Sequence, residues 1–473
     1  MIPQKCRRKV QMMKKSVVSA LSALILTGIV LTGCKDTEPS VFSLETAAQP
    51  EPSNGPVSFW VATDLHYLDK ALEDGGEAFQ TYVNGGDGKM LPYSDELTEA
   101  FVHDIRQKKP EFVILSGDLT NNGEAGSHKE LTKKLKQVEA SGTSVYVIPG
   151  NHDLNNPWAR SFKNDKQLKS EHITDKDFPR LYGDFGYNEA ISRDQNSLSY
   201  VVNAAPGLWL LMLDSNQYHN NEKYGFPQTD GRLLPETLSW IEDCVQEAAR
   251  QHASIITVMH HNLLSHTSMP VSGFKLNNSQ ESLKRLRKNG LNLVLSGHIH
   301  MQDIRRDPGA ITGDSSSGLL TVYDIATSAM AVNPHQYGEM TFDPASRAVT
   351  YKTSAVNVEG WAAANGIEDA NLLHFKTYAE QTFARNSYNK ALERLQDAPF
   401  TEDQKASMAE VMSRLNVNYF AGTAGSVLEE IKAMPGYKLW ENMEGGFMPG
   451  YIRSMAREQG WSKVSLEIIL TRH

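Results

Sequence analysis

Five short polar clusters, each placed directly after a run that reads as a buried strand, constrain this chain more than any other feature. They are Asp64-Leu-His66, Gly117-Asp118, Gly150-Asn-His-Asp153, His260-His261 and Gly297-His-Ile-His300. Runs such as Phe59-Trp-Val-Ala-Thr63 and Phe112-Val-Ile-Leu-Ser116 have the continuous apolar character of parallel strands covered on both faces. The polar residues after them therefore emerge at the carboxyl ends of strands, where open α/β folds keep their sites. Taken singly, His66 or His298 reads as a hydrogen-bonded structural histidine and Asp118 as a turn residue before Leu119-Thr-Asn-Asn-Gly. Taken together and in order, they read as one site.

Imidazole, carboxylate and amide oxygen make a mixed nitrogen and oxygen donor set. That set suits Mn, Fe, Zn or Co better than a thiophilic metal, and no cysteine lies in the clusters.

In their order and context the clusters resemble the calcineurin-like metallophosphoesterases. The resemblance implies an α/β fold, an α+β sandwich of two mixed β-sheets flanked by helices, over residues 57–356. The strand and helix alternation permits this but does not separate it from a single sheet. By the same resemblance, Asp64, His66, Asp118 and His300 hold a first metal ion, and Asp118, Asn151, His260 and His298 hold a second. Asp118 bridges, Mn and Fe are favoured, and water activated between the two ions attacks phosphorus in line. His152 faces the leaving group as its proton donor. Asp153 reads as the carboxylate that orients the His152 ring, or else as a turn or helix-cap aspartate. His261 either lines the pocket or packs beside it. Six histidines outside the clusters, His103, His128, His172, His219, His252 and His335, read mostly as solvated.

The amino terminus carries Lys5, Arg7, Arg8, Lys9, Lys14 and Lys15 before an uncharged apolar run from Ser16 to Gly33 that ends Leu31-Thr-Gly-Cys34. Charge followed by an apolar run is the layout of an export signal. The tetrad resembles the bacterial lipobox, which implies a signal peptide over residues 1–33 and a lipid anchor on Cys34, outside the cytoplasmic membrane in the cell envelope. The alternative is an uncleaved anchor, since about 18 apolar residues can just span a bilayer. Residues 34–56, rich in Pro, Ser, Thr and Glu, read as a flexible tether. Loss of residues 1–33 removes six positive charges, taking the formal charge from -9 to -9 - 6 = -15. So acidic a chain is a poor partner for long nucleic acid, whose binding depends on Lys and Arg neutralising phosphates.

The spacing of Leu97, Phe101 and Ile105 predicts a helix over 95–108. Ser127-x-x-Glu130 reads as a capping box, and Pro235 opens a helix to about Gln251. Two long segments, Tyr67 to Ser94 and Leu154 to Asp194, read as irregular insertions leaving from the metal edge. Tyr67, Tyr187 and Asn188 are their candidate substrate contacts. From 360 to 473, apolar stripes such as Leu372, Phe375, Ala379 and Phe383, with a capping box at Thr401-x-x-Gln404, predict an all-α carboxyl-terminal domain. A helical domain after a phosphoesterase domain resembles exported bacterial cyclic-nucleotide phosphodiesterase-like lipoproteins. The expected activity is a metal-dependent phosphodiesterase of cyclic nucleotides or other small diesters. The alternatives are a phosphomonoesterase, such as a nucleotidase or acid phosphatase, and a non-catalytic envelope lipoprotein.

Overall fold

The computed structural model describes residues 55–269, 271–309, 320–457 and 460–473, so the signal segment, Cys34 and nearly all of the tether lie outside it. Its strands are β1 (Val57–Ala62), β2 (Phe112–Ser116), β3 (Ser144–Ile148), β4 (Arg160–Lys163), β5 (Lys166–Lys169), β6 (Ser192–Arg193), β7 (Tyr200–Ala205) and β8 (Leu208–Leu213). They continue with β9 (Ser254–Met259), β10 (Leu293–Ser296), β11 (Asp303–Asp307), β12 (Val322–Ala326), β13 (Gln336–Asp343), β14 (Ala348–Ala355) and β15 (Ser465–Ile469). A six-stranded sheet has the order β15-β14-β13-β1-β2-β3, and a seven-stranded sheet the order β11-β12-β10-β9-β8-β7-β6. β1, β2 and β3 run parallel, as do β8, β9, β10 and β12, with antiparallel strands outside them. Both sheets are therefore mixed.

The sandwich follows from alternation inside runs that looked uniformly apolar. On β8, Leu208, Leu210 and Met212 enter the core shared with the first sheet, while Trp209, Leu211 and Leu213 pack under the helices Pro235–Arg250 and Ser279–Lys288. Successive side chains on a strand point to opposite faces, so a strand buried on both faces shows no polar alternation. The helix Ser94–Lys108 buries Leu97, Phe101 and Ile105, as their spacing predicts. Ser127 is not a cap: the helix begins at Ala125, and the Ser127 hydroxyl instead accepts the Asp69 N–H at 3.1 Å.

Neither insertion is irregular. The first contains the helix Glu77–Gly85 and the second the β4–β5 hairpin, and they pack on each other through Phe79 and Tyr82 against Phe162, with ring centres 5.4 and 4.9 Å apart.

The carboxyl-terminal region holds the helices Phe375–Leu395, Glu402–Phe420, Ala424–Lys432, Pro435–Glu441 and Phe447–Met455, with the Thr401–Gln404 capping box formed. Its apolar core takes in Ile299 and Met301, the two neighbours of His300. The region is not all-α. β15 pairs antiparallel with β14 and sends Ile468 and Leu470 into the core between the sheets. A short alternating strand near the chain end thus covers an edge that would otherwise leave its backbone groups unpaired.

Candidate metal centre

The ligand loops meet because hydrogen bonding between strands continues past the strand ends. The N–H groups of Asp64, His66 and Tyr67 donate to the carbonyls of Gly117, Asp118 and Leu119, each at 3.0 Å, so the loops after β1 and β2 stay side by side. Across the seam, the Gly297 N–H donates to the His260 carbonyl at 3.0 Å. Close approach demands glycine at two places. A Cβ on Gly150 would lie 2.1 Å from the Asp118 nitrogen, and one on Gly297 would lie 1.9 Å from Thr63 Oγ1. Asp64, His66, Asp118, His298 and His300 all have positive φ, between 43° and 72°. L-residues rarely adopt that conformation, and such strain collects at functional sites.

Two groups of donors result. Atoms of Asp64, His66, Asp118 and His300 lie within 4.8 Å of one another, as do atoms of Asp118, His260 and His298. Asp118 belongs to both: its Oδ2 is 3.8 Å from His66 Nε2 and 3.2 Å from His260 Nε2, while its Oδ1 accepts the His152 N–H at 2.8 Å. Asn151 Oδ1 is 3.1 Å from His260 Nε2 and completes the second group. All seven expected ligands are brought together.

The donor set fits two metal ions. Asp64 Oδ1 is buried with no hydrogen-bond partner, and it lies 3.7 Å from His66 Nε2 and 3.4 Å from His300 Nε2, which are 3.0 Å from each other, so three donor atoms converge on one point. Backbone carbonyls fix two of the imidazoles. His260 Nδ1 sits 2.9 Å from the Ser116 carbonyl, leaving Nε2 for the centre, and His298 Nε2 sits 2.9 Å from the Gly273 carbonyl, leaving Nδ1. Ring N–H donation of this kind selects the tautomer that offers a lone pair to a metal. Burial pushes the His66 imidazole well below its ordinary pKa and His298 to about 4, so both are neutral, as ligands must be. Burial opposes ionisation of Asp118, but His260 and His152 beside it hold its carboxyl well below the usual range.

The expected pairing of Asp153 with the His152 ring is not formed. The His152 Nδ1 lies 2.7 Å from the Asn121 carbonyl and 3.0 Å from Asn122 Oδ1, with Nε2 turned toward Asp118 at 4.0 Å. Asp153 does not touch that ring. Its carboxylate accepts from the N–H groups of Leu119, Thr120 and Gly150 and from the Thr120 hydroxyl, at 2.8 to 3.0 Å. It therefore ties the loop after β2 to the loop after β3, and its alternative reading as a turn aspartate is the nearer one. The Asn121–Asn122 pair was the missed signal: two amides immediately after a ligand motif, both also donating to the Tyr82 hydroxyl at 3.0 Å.

The candidate substrate contacts fall elsewhere. Tyr67 is fully buried, its hydroxyl donating to Asp95 at 2.8 Å. Tyr187 is buried against Tyr200 and donates to the Leu198 carbonyl. Both aromatic rings are large enough that core packing outweighs exposure. Asn188 is exposed and its amide donates to Asp184 at 3.3 Å. His261 is buried behind the centre, 2.8 Å from Ser215 Oγ, with its ring centre 4.5 Å from that of His298, so it packs a ligand. His128 and His335 are buried too rather than solvated. Sequence reasoning also missed Asp87 and Lys89, which the first insertion delivers: Asp87 Oδ2 lies 3.8 Å from His300 Nδ1 and 3.4 Å from Lys89 Nζ.

Sandwich and donor groups together are those of the metallophosphoesterase type of fold. Residues 57–302, more than half of the chain, match the calcineurin-like phosphoesterases, and the chain belongs to that family. Residues 357–460 match the C-terminal domain of cyclic nucleotide phosphodiesterase. A probable cyclic nucleotide phosphodiesterase of Synechococcus sp. is 25% identical over 204 residues, 42% of this chain and 62% of that protein. The match thus spans less than two thirds of that relative. A second, from Xenorhabdus bovienii, is 22% identical over 202 residues, 39% of this chain and 77% of its own. Among solved structures, a dimetal phosphatase from Danio rerio is 14% identical, covers 63% of this chain and 95% of its own, and superposes with a TM-score of 0.41.

Proposed function

We propose that the chain is a phosphodiesterase acting on cyclic nucleotides or related small diesters. The observation that carries this reading is the position of the helical region, which matches a cyclic nucleotide phosphodiesterase C-terminal domain and buries Ile299 and Met301 on either side of His300. Between that region and the turn at Asp87 and Gly88 lies a cavity of about 210 Å³, lined by Phe383, Met412, Phe447 and Tyr451 among others. An apolar cavity beside the metal edge gives room for the organic substituent of an ester.

Bound at Asp64, His66, Asp118, Asn151, His260, His298 and His300, two ions from the Mn, Fe, Zn and Co group would supply Lewis acidity and water activation near neutral pH. The protein's own part falls to His152. With Nδ1–H committed to the Asn121 carbonyl, a proton for the departing alkoxide comes from Nε2 of the imidazolium. Export and a lipid anchor at Cys34 belong to the same proposal. Mass analysis of the mature amino terminus tests that part, and an unacylated chain starting elsewhere overturns it.

A phosphomonoesterase is the second reading, favoured by the Lys89 cation close to the centre, since a dianionic monoester gains more from added positive charge. Turnover of cyclic, linear and aryl phosphoesters with each metal separates the two. Cyclic-diester hydrolysis exceeding monoester hydrolysis supports the proposal, and the reverse order replaces it with the second reading.

A further inference from the structure

We infer that Lys89 binds a non-bridging oxygen of the substrate's phosphoryl group, and that the carboxyl-terminal helices hold it in place to do so. The backbone of Lys89 forms a bridge with Val332, and the next N–H, of Met90, donates to the Ala331 carbonyl at 2.8 Å. Ala331 in turn donates to the Asp64 carbonyl at 3.1 Å. Lys89 is therefore tied through two hydrogen bonds to a metal-ligand loop, although it comes from an insertion.

The other side of the turn is gripped by the helix Phe375–Leu395. Lys390 Nζ donates to the Gly86 carbonyl at 2.6 Å, and Gly88, with φ at 101°, passes so close to Phe383 that a Cβ would meet its ring at 3.0 Å. Phe383 clusters with Ala329 and Val332 on the same segment that pairs with Lys89. A surface turn would not be fixed from both sides in this way without something to present.

What it presents is a charge. The Lys89 side chain is only 10% exposed, and its partner within ion-pair distance among the described residues is the half-exposed Asp87. Burial works against the ammonium, but Asp87 keeps it protonated, and the same Asp87 carboxylate lies 3.8 Å from His300 Nδ1, which puts the ion pair at the edge of the donor groups. With two ions held at the neighbouring donor groups, the positive charge there would exceed what Asp87, Asp64 and Asp118 neutralise, and a further anion would be favoured beside Lys89. A phosphoryl oxygen supplies that anion, and Lys89 Nζ can leave the exposed carboxylate for it. Lysine serves such oxygens as a point charge, with donors that swivel to fit.

The inference rests on the phosphoesterase reading but not on the preference for diesters. The test uses the full mature chain with metals, inorganic phosphate as competitive inhibitor, and both bis(4-nitrophenyl) phosphate and 4-nitrophenyl phosphate as substrates. Lys89→Met is expected to keep wild-type metal content, to weaken phosphate inhibition about 10- to 100-fold and to lower kcat/KM on whichever ester is turned over by a similar factor. Lys89→Arg, which keeps the charge, is expected to recover most of the loss. Lys390→Ala, remote from the metals, should weaken phosphate inhibition by a smaller factor. Unchanged phosphate inhibition in Lys89→Met overturns the inference, and so does lost metal in Lys89→Met, which would make the residue structural. Absent diester turnover in the wild type would instead count against the diester reading alone.

Discussion

The strand-end loops and the Gly86–Met90 turn both bring side chains to the metal centre, but by different physical means. The loops after β1, β2, β3, β9 and β10 are continuations of paired strands, so their positions follow from sheet register, and glycines at 150 and 297 let them touch. The turn has no such frame. It is held by a lysine, a phenylalanine and one backbone bridge, all contributed from elsewhere in the chain. Sheet register makes a site rigid and ties it to motifs, while borrowed packing makes it dependent on the helical region. The first part should fail abruptly when disturbed and the second by degrees.

The largest expected effect lies in the loops. Asp118→Ala removes the carboxylate common to both donor groups and should abolish bound metal and turnover together, as read by elemental analysis and ester hydrolysis. His152→Ala should retain both metals and slow turnover by about 10² to 10⁴, most for esters with poor leaving groups. A uniform loss across leaving groups of different pKa would remove the proton-donor role.

The helical region comes next. A chain ending before Val358 loses β15 and the packing over Ile299 and Met301, and should melt lower and expose apolar surface. Should it keep the full melting temperature and turnover, the region is an independent module and the comparison breaks. A smaller change tests the hold on His152: Asn122→Ala removes one of two acceptors at Nδ1 and should reduce turnover about fivefold with metal unchanged.

A separate effect falls on acid stability. Burial holds the His128 imidazole at about 3, against about 6.5 in an unfolded chain, so the folded state favours the neutral ring. Its contribution is present above the unfolded value and is lost as pH falls from there toward 3. Relative to the wild type, His128→Gln should flatten the acid limb of the stability curve by about 1.4 kcal/mol per pH unit. Parallel curves for the two proteins would show that the ring is protonated in the folded state as well.

The difference between the two regions also explains what could be read from sequence. All seven residues that meet at the centre were legible, because a buried parallel strand announces itself as an apolar run and the residue after it has little freedom in where it emerges. The helical stripes were legible through their spacing and the Thr401 cap. β15 was not, since the alternation of Leu466, Ile468 and Leu470 runs over too few residues to stand out from the helical stretch before it. Tyr67 and Tyr187 read as substrate contacts because they lie in long segments without an apolar period, whereas their aromatic residues make those segments packed structure. Asp153 looked like a partner for its sequence neighbour, yet at a tight turn adjacent side chains point apart, and its carboxylate reaches backbone N–H groups instead. Lys89 had no local signal at all. Its place depends on Lys390 and Phe383, about three hundred residues away.

The two sheets each bring histidines to a pair of donor groups that share Asp118. The most direct test is the metal content per chain of the wild type, His300→Ala and His260→Ala after exposure to Mn and removal of excess. Two ions in the wild type and about one in each variant are predicted, because His300 serves only the first donor group and His260 only the second. One ion or none in the wild type, or two retained in both variants, would contradict the account.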